Sequence, residues 1–368
     1  MKAMAHKPVV IAAGGTGGHF YPAEALAAEL LARGERVVLL TDARSGGLAS
    51  PVFAKAERHV VSGAGLSGRG VKRAVQGALA LARGVGEAWR LLRHIRPGVV
   101  VAFGGYPAVP PVLAAWLLIG ARPRVILHEQ NAVLGRANRF LSRFADVLAL
   151  NFANTKAVPR GIAVRVTGNP VRPAIAALHG QGFAPPREQV ELLVLGGSLG
   201  AKLFGTLVPE ALALLPENLR LRLNVTQQCR TEERERARQI FKSAGIAAEL
   251  SPFFTDVAAL LAKAHLVVAR AGASSVAEIA VAGRPALFIP LPTAIDDHQR
   301  ANADALAENG AALRLDQAGL TPAILAEKIE TLLMDTLVLQ KMADASAAQG
   351  RADAAAVLAG LVWEGVMP

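Results

Sequence analysis

The run Val9–Ala13 (VVIAA), followed at once by Gly14–His19 (GGTGGH), decides how the chain folds. Short apolar runs rich in β-branched residues predict a buried strand, and clustered glycines predict a tight turn. Pro22 then occupies a position suited to a first helical turn, and Leu26 and Leu30 follow at helical spacing. The stretch therefore predicts a strand, a glycine-rich turn and a helix in direct succession.

The same succession of an apolar run and a glycine-containing turn recurs along the chain. It occurs at Val99–Phe103 before Gly104-Gly105, at Glu191–Leu195 before Gly196–Ala201, and at Leu266–Ala269 before Arg270–Ala273. Strands that alternate with helices predict parallel, doubly wound sheets. The predicted fold class is therefore α/β, with two similar domains, each built on a doubly wound parallel sheet.

A change in composition predicts where the two domains meet. Residues 169–189 are rich in proline and glycine and predict a linker. The expected first domain is then 1–168 and the second is 190–350. A final helix within 351–368 could belong to either domain, and could pack back on the first.

Composition and charge restrict the class of function. The chain has 368 residues, of which 52% are hydrophobic and 19% charged, so disordered and fibrous proteins are excluded. Cys229 is the only cysteine, which excludes an intrachain disulfide and a cysteine-based zinc site. A net charge of +11 attracts nucleic acid, anionic membranes or phosphorylated substrates. Aromatic residues make up 5% of the chain with no clustered stacking motif, which disfavours a nucleic-acid-binding protein.

Two segments bear on membrane attachment. Val99–Ala121 carries no formal charge and is long enough to span a bilayer, but its glycine pair and three prolines predict strand, turn and helix instead. Val9–Ala13 is too short for the core of a signal peptide. Basic and apolar side chains are also interspersed between residues 71 and 124 of the expected first domain. They are Lys72, Arg73, Arg83, Arg90, Arg93, Arg96, Val71, Leu79, Trp89 and Leu92, with Trp116–Ile119, Arg122 and Arg124 beyond. This pattern fits either a solvated helix face or attachment to anionic lipid.

The glycine turns suggest a diphosphate ligand. Turns of this kind bring backbone N–H groups and the positive end of a helix to one point, which suits phosphate oxygens. A dinucleotide fold would have the pattern G-x-G-x-x-G, but the third glycine position after Gly15 and Gly17 is Phe20. A nicotinamide-dependent enzyme is therefore disfavoured.

Three polar groups each allow two interpretations. His19, at a helix start, is either a loop histidine or a general base, and the helix N-terminus favours its neutral form. Ser275 and Glu278 form an S-x-x-E pattern, so Glu278 either caps its own helix or accepts hydrogen bonds from ribose hydroxyls. Asp296–Gln299 resembles a metal-binding run, but consecutive side chains point in different directions, so no metal site is predicted.

Six motifs, taken together, resemble the MurG family of bacterial cell-wall glycosyltransferases. They are Gly14–His19 (GGTGGH), Phe103–Pro107 (FGGYP), His128–Arg139 (HEQNAVLGRANR), Gly168–Arg172 (GNPVR), Gly196–Ala201 (GGSLGA) and Arg270–Gly283 (RAGASSVAEIAVAG). The resemblance implies a GT-B fold, in which two Rossmann-like domains face each other across a cleft. It also implies transfer of GlcNAc from UDP-GlcNAc to the C4 hydroxyl of the muramoyl sugar of lipid I, with inversion, giving lipid II. Another GT-B enzyme that uses UDP-GlcNAc, such as a 2-epimerase or a glycolipid synthase, is the alternative.

The resemblance also assigns roles to residues of this sequence. His19 corresponds to the proposed base, and Phe254 to a position near the uracil. The other expected substrate contacts are Thr16, Gly17, Gly18, Asn131, Arg172, Ser198, Ala273, Ser274, Ser275, Val276, Ala277, Glu278 and Gln299. The loops expected to face the acceptor diphosphate contain Gly14, Gly15, Gly104, Gly105 and Tyr106.

No cofactor and no metal are implied by the resemblance. The implied partners are UDP-GlcNAc, lipid I, the anionic surface at the cytoplasmic face of the inner membrane, and other cell-wall synthesis proteins. The first domain would face the acceptor and the membrane. The sequence departs from the family at Thr226–Cys229 (TQQC), where members often carry a His-Gln pair.

Overall fold

The computed structural model describes residues 7–15, 17–43, 50–62, 71–197 and 200–364, without the side chains of 71–74. The chain divides into two compact units. The first is Met1–Arg172 together with Asp353–Pro368, and the second is Pro173–Ala352. The division thus falls within the segment expected to be a linker, and most of that segment belongs to the second unit.

The first unit is built on a parallel sheet with strand order β3-β2-β1-β4-β5-β6-β7. The strands are β1 Val9–Ala12, β2 Val37–Thr41, β3 Glu57–Val60, β4 Val99–Ala102, β5 Arg124–Glu129, β6 Val147–Leu150 and β7 Ala163–Val166. The helices are α1 Gly17–Ala32, α2 Val71–Ile95, α3 Val109–Trp116, α4 Arg136–Leu141 and, from the end of the chain, α14 Ala354–Trp363.

Alternation along the strands explains why the central strands read as continuous apolar runs. In β1, Val10 and Ala12 belong to one hydrophobic cluster, whereas Val9 and Ile11 belong to another. Successive side chains of a strand point to opposite faces, and helices cover both faces of this sheet. Every residue of β1 is therefore buried.

The second unit repeats this architecture with strand order β10-β9-β8-β11-β12-β13. Its strands are β8 Val190–Leu195, β9 Leu223–Gln228, β10 Ala247–Ser251, β11 Leu266–Ala269, β12 Ala286–Phe288 and β13 Ala312–Arg314. Its helices are α5 Pro173–Ala176, α6 Phe204–Ala213, α7 Glu217–Arg220, α8 Thr231–Ser243, α9 Val257–Lys263, α10 Ala273–Val281, α11 His298–Ala307, α12 Pro322–Met334 and α13 Thr336–Gln349. The predicted α/β class with doubly wound parallel sheets is confirmed.

The last helix, α14, completes the core of the first unit. Leu358, Ala359 and Val362 are fully buried in the cluster that contains Leu26 of α1. Arg124, at the start of β5, donates from Nη1 to the main-chain oxygen of Leu361 at 2.8 Å.

The uncharged segment 99–121 forms β4, a glycine turn, a short helical turn and then α3, as predicted. Among the parts of the chain that the structure describes, no helix is both long and apolar enough to cross a membrane.

Both sheets have a topological switch point, where neighbouring strands lead to crossovers on opposite sides. The switch lies between β1 and β4 in the first unit and between β8 and β11 in the second. Ligands of open α/β sheets bind at the carboxyl ends of the strands beside such points. The glycine turns singled out in the sequence follow these four strands.

Candidate active site

In the first unit, the carboxyl ends of the neighbouring strands β1, β4 and β5 lie at one edge of the sheet. The turns Gly14-Gly15 and Gly104-Gly105 follow β1 and β4, and His128–Gln130 spans the end of β5 and the first residue after it. Gly105 has a φ of +67°, and a Cβ there would lie 3.4 Å from Nε2 of His19. Only glycine adopts this backbone without strain while leaving that space beside the imidazole. Thr16 lies outside the described residues.

His19 lies in the first turn of α1 and is half-buried. Its Nδ1 is 3.0 Å from Oε1 of Gln130. The amide nitrogen of Gln130 contacts Nδ1 of His128 at 3.0 Å, and His128 contacts the main-chain oxygen of Gly168 through Nε2 at 2.9 Å. A continuous chain of hydrogen bonds therefore runs from the half-buried imidazole into the core.

His128 is a fully buried neutral histidine. Burial lowers its pKa to about 4, against the smaller upward effects of the hydrogen bond to Gly168 and the charge of Glu129. The imidazole is therefore uncharged at neutral pH.

Glu129, at the end of β5, holds the following loop with four hydrogen bonds. Its Oε1 accepts from the main-chain N and from Nδ2 of Asn131, at 3.1 and 2.9 Å. Its Oε2 accepts from the main-chain N of Gly135 and from Nδ2 of Asn138, both at 2.9 Å. The carboxylate is almost fully buried, so these bonds offset the cost of its desolvation. Two of these bonds fix Asn131, which is expected to contact UDP-GlcNAc. This residue lies in the first unit.

Four further residues expected at the site lie in the first unit. The guanidinium carbon of Arg172 is 5.1 Å from the ring centroid of Tyr21, two residues after His19 on α1. Tyr106 follows the Gly104-Gly105 turn at the start of a short helical turn, and its side chain is exposed. Gly17 and Gly18 form the start of α1.

In the second unit, Gln228 ties together the turns after three strands. Its Oε1 accepts from the main-chain N of Gly196 at 3.0 Å, and its Nε2 donates to the oxygens of Gly197 and Pro252 at 3.0 and 3.2 Å. A Cβ on Gly196 would collide with the main-chain N of Ala201, so the tight turn requires glycine there. The TQQC departure from the family pattern therefore has a structural role in this chain. Ser198 lies outside the described residues.

Helix α10 begins three residues earlier than a capping box would require. Gly272 is its N-cap, without a side-chain cap, and Ser275 already lies inside the helix. The capping interpretation of Ser275 and Glu278 is therefore wrong. Glu278 lies in the body of the helix and is 8% exposed. The first-turn N–H groups of Ala273, Ser274 and Ser275 lie at the carboxyl edge of β11, where an anion is favoured.

The side chain of Arg270 stabilises the turn that leads into α10 through three hydrogen bonds. Its Nη1 donates to the main-chain oxygens of Ile289 and Pro290 at 2.9 and 3.1 Å, and its Nη2 donates to Oε1 of Gln317 at 2.8 Å. The guanidinium carbon lies 4.9 Å from the ring centroid of Phe204, and burial lowers the pKa of the group.

Gln299 and Phe254 lie on opposite sides of α10 along the same sheet edge. Gln299 follows β12, and its Oε1 accepts from the main-chain N of Leu291 at 3.0 Å. Phe254 follows β10 and is half-buried. The turn before α11 contains Asp296 and Asp297 in left-handed conformation, with φ of 53° and 52°. Such backbone is costly for residues other than glycine and is concentrated at functional sites.

The described parts of the chain contain no group of three or more His, Cys, Asp or Glu that could hold a metal ion. Asp297 instead forms an ion pair with Arg300, at 3.0 Å between Oδ2 and Nε.

Comparison with known proteins identifies a family for each of the two units. Residues 9–149 match the glycosyltransferase family 28 N-terminal domain, and residues 191–358 match the glycosyltransferase family 28 C-terminal domain. A relative from Granulibacter bethesdensis is 56% identical over 97% of this chain and 94% of its own length. A relative from Acidiphilium cryptum is 56% identical over 98% of this chain and 97% of its own. The chain belongs to the MurG family of glycosyltransferases.

The solved structures agree with this family. A crystal structure of Acinetobacter baumannii MurG is 32% identical, covers 98% of this chain and 99% of its own, and has a TM-score of 0.76. A UDP-GlcNAc 2-epimerase from Neisseria meningitidis has a TM-score of 0.69 at 13% identity, with 97% and 100% coverage, which shows the GT-B fold alone. Both relatives named above carry the name UDP-N-acetylglucosamine--N-acetylmuramyl-(pentapeptide) pyrophosphoryl-undecaprenol N-acetylglucosamine transferase.

Sequence reasoning about this glycosyltransferase quotes the segments that contain Gln130, Arg270 and Gln228 but assigns these residues no role in supporting the site. Each of them directly follows or ends a strand. A polar side chain in that position is buried and must find hydrogen-bond partners, which is the signal that could have identified them.

Proposed function

We propose that the chain transfers GlcNAc from UDP-GlcNAc to N-acetylmuramyl-(pentapeptide) pyrophosphoryl-undecaprenol (lipid I), at the C4 hydroxyl and with inversion, giving lipid II. The identity of 56% to relatives of that name, over nearly the whole chain, carries this proposal. The geometry of both units is consistent with it.

The second unit would bind the donor. The N-terminus of α10 offers main-chain N–H groups to the diphosphate, and Glu278 within that helix would accept hydrogen bonds from sugar hydroxyls. Phe254 and Gln299, on either side, would contact the nucleotide and the sugar. When UDP leaves, negative charge grows on its diphosphate, and the fixed dipoles of the helix start stabilise that charge.

The first unit would bind the acceptor and supply the base. The turns at Gly14-Gly15 and Gly104-Gly105 would face the acceptor diphosphate, next to His19. Nε2 of His19 takes the proton from the C4 hydroxyl as the oxygen attacks the anomeric carbon. The new C–O bond forms while the bond from that carbon to the UDP oxygen breaks, and UDP leaves with the electron pair. The step requires no resident cofactor.

A surface of the first unit would hold the enzyme at the anionic, cytoplasmic face of the inner membrane. Exposed apolar side chains lie at the end of α3 and on the helices beside it, and we call them the apolar patch: Leu79, Trp116, Leu117, Ile119 and Phe140. The ring centroid of Phe144 lies 5.3 Å from that of Trp116 and 5.5 Å from that of Phe140. Trp116 and Phe140 therefore belong to one aromatic cluster. Ile119 is 96% exposed. An amphipathic apolar surface flanked by arginines is the usual form of an interfacial anchor.

The arginines of this surface differ in whether their guanidinium groups are bound to other groups of the protein. Arg83 is paired with Glu87 at 2.8 Å, and Arg122 with Asp146 at 3.0 Å. Arg124 is bound to α14, whereas Arg90 is exposed on α2. The side chains of Val71, Lys72 and Arg73 lie outside the described residues.

The proposal is tested by transfer of radiolabelled GlcNAc from UDP-GlcNAc to a short-chain lipid I analogue, with and without EDTA. We expect labelled lipid II analogue in both conditions. Binding of UDP-GlcNAc without labelling of the analogue would contradict the acceptor assignment. Conversion of UDP-GlcNAc to its 2-epimer in the absence of acceptor would indicate the alternative enzyme class.

A further inference from the structure

Gln130 lies between His19 and His128 and contacts both rings. Its Oε1 is 3.0 Å from Nδ1 of His19, and its Nε2 is 3.0 Å from Nδ1 of His128. The side chain is almost fully buried, so both ends of the amide are fixed by protein groups.

The orientation of the Gln130 amide is determined by its main-chain neighbours. The nitrogen end lies 3.1 Å from the carbonyl oxygen of Phe103 and 3.2 Å from that of His128. Carbonyl oxygens only accept hydrogen bonds, so the group that faces them must be the donating NH₂. The acceptor oxygen of the amide therefore faces His19.

His128 fixes the same orientation independently. Its Nε2 lies 2.9 Å from the carbonyl oxygen of Gly168 and must donate to it. Because the ring is neutral, its Nδ1 carries no proton and accepts from Nε2 of Gln130. A flipped Gln130 amide would place its oxygen against this lone pair as well as against two carbonyl oxygens.

We propose that Gln130 is a positioning residue that holds His19 in the tautomer with a proton on Nδ1. The acceptor oxygen of Gln130 takes a hydrogen bond from Nδ1–H, and the lone pair of the imidazole is then on Nε2, the atom beside Gly105. His128 and Gly168 lock Gln130 in turn. The role in catalysis rests on the proposed function, in which Nε2 of His19 receives the hydroxyl proton.

The contact between Gln130 and His19 differs from one in which a carboxylate orients a histidine. Gln130 fixes the tautomer through a neutral acceptor, so it adds no negative charge beside the imidazole. The base is therefore held in position by a neutral amide oxygen.

The tautomer is tested directly by ¹⁵N NMR of the full chain labelled at histidine, with the His19 signals assigned from a His19→Ala variant. We expect a protonated Nδ1 and an unprotonated Nε2 in the wild type. In Gln130→Met, which keeps the volume but removes the acceptor, we expect this pattern to be lost. A wild-type His19 that carries its proton on Nε2 overturns the proposal, whether or not the protein shows transferase activity.

Kinetics test the positioning role. We expect Gln130→Met to lower kcat on the order of 10- to 100-fold, which does not exceed the rate contribution of a general base. The KM for UDP-GlcNAc should change little. In a His19→Ala background the same substitution has no further effect on kcat, because the group it positions is gone. Multiplicative losses in the double variant would overturn the proposal.

Gln227 offers a matched control for folding. It is also a buried glutamine that donates to a phenylalanine carbonyl, from Nε2 to the oxygen of Phe204 at 2.8 Å, but it lies in the second unit. Gln227→Met removes a similar hydrogen bond, and we expect it to leave the His19 tautomer as in the wild type and kcat near the wild-type value. Loss of the tautomer in this control too would show that the effect of Gln130→Met is general destabilisation.

Discussion

Glu129 and Asn138, nine residues apart, are joined by a hydrogen bond of 2.9 Å from Nδ2 of the asparagine to Oε2 of the glutamate. The same Nδ2 donates to the main-chain oxygen of His128 at 3.0 Å, so one amide ties the end of β5 to α4. The loop that bears Gln130 and Asn131 is therefore held at both ends.

This relationship predicts the effect of Glu129→Gln on stability. Each carboxylate oxygen accepts from two donors, so an amide in either orientation leaves two buried N–H donors without an acceptor. We expect the free energy of unfolding to fall by about 3 kcal/mol, at roughly 1–3 kcal/mol per unsatisfied group. Urea denaturation measures this loss. Glu217→Gln, at an exposed position of α7, is the control and should change stability by less than about 0.5 kcal/mol. Equal stability of both variants would contradict the argument.

His19→Ala should separate chemistry from donor binding. We expect kcat to fall by about 10²- to 10⁴-fold, since a general base contributes that much, while the Kd for UDP-GlcNAc stays unchanged. Initial rates with a lipid I analogue and calorimetric titration of UDP-GlcNAc provide the two measurements. His179→Ala, at an exposed position of the second unit, is the matched control. Near-normal turnover of His19→Ala would exclude the base assignment.

Glu278→Gln should weaken binding of the donor without loosening α10. Because Glu278 does not cap its helix, we expect little change in melting temperature. The Kd for UDP-GlcNAc should rise about 10-fold or more, the value of one charge-assisted hydrogen bond of about 1.5–3 kcal/mol. Calorimetry and thermal unfolding provide the two readouts, with Glu308→Gln at the end of α11 as control. A lower melting temperature at unchanged Kd would mean that Glu278 acts in the fold and not on the donor.

His128 predicts a pH dependence of stability. Its pKa is 6.5 in the unfolded chain and about 4 in the folded protein, mainly because of burial. Between these values the unfolded state binds a proton that the folded state does not, so stability falls as pH decreases from about 6.5 to 4. The loss amounts to about 3 kcal/mol and is complete below the lower pKa.

The measurement is urea denaturation at pH 7 and at pH 4.5. We expect the drop in unfolding free energy to be about 2–3 kcal/mol smaller in His128→Gln than in the wild type. His179→Gln should keep the wild-type drop. If His128→Gln loses as much stability as the wild type between the two pH values, the histidine is not neutral in the folded state.

The apolar patch predicts a loss of membrane binding in a double variant, Trp116→Ala with Ile119→Ser. We expect binding to vesicles of phosphatidylglycerol and phosphatidylethanolamine to fall about tenfold or more, since burial of either side chain contributes more than about 1.4 kcal/mol. Co-sedimentation measures the bound fraction. Leu337→Ser removes an equally apolar side chain, 73% exposed, from the second unit and should leave binding intact. Equal binding of all variants would place the contact elsewhere.

The fold could be predicted from the sequence because its signals are local. The apolar run at Val9–Ala13 and the glycines after it mark a strand and a turn that neighbouring residues alone determine. The start of α10 could not be predicted in this way. Its N-cap, Gly272, has no capping side chain, and the preceding turn is held by Arg270 and by Asn302, which donates from Nδ2 to the oxygen of Ala271 at 3.0 Å. Contacts with distant residues therefore outweighed the local S-x-x-E signal.

The candidate site was only partly predictable for the same reason. His19 is conspicuous after a glycine turn, and its role as base stays a prediction. Its partner Gln130 lies 111 positions away, and no spacing in the sequence relates the two. Likewise the sequence indicates a cluster of arginines near α2 and α3, but not that Glu87 and Asp146 pair with two of them.

Helix α14 has a consequence for how the protein emerges from the ribosome. The first unit lacks part of its core until Leu358 and Val362 have been synthesised, and the whole second unit is translated before them. The second unit is continuous in sequence, and its core cluster lies entirely within Pro173–Ala352. Until α14 has been synthesised, the apolar residues of α1 that it covers have no partner on that side. The unit that begins the chain is therefore the last to receive all of its core residues.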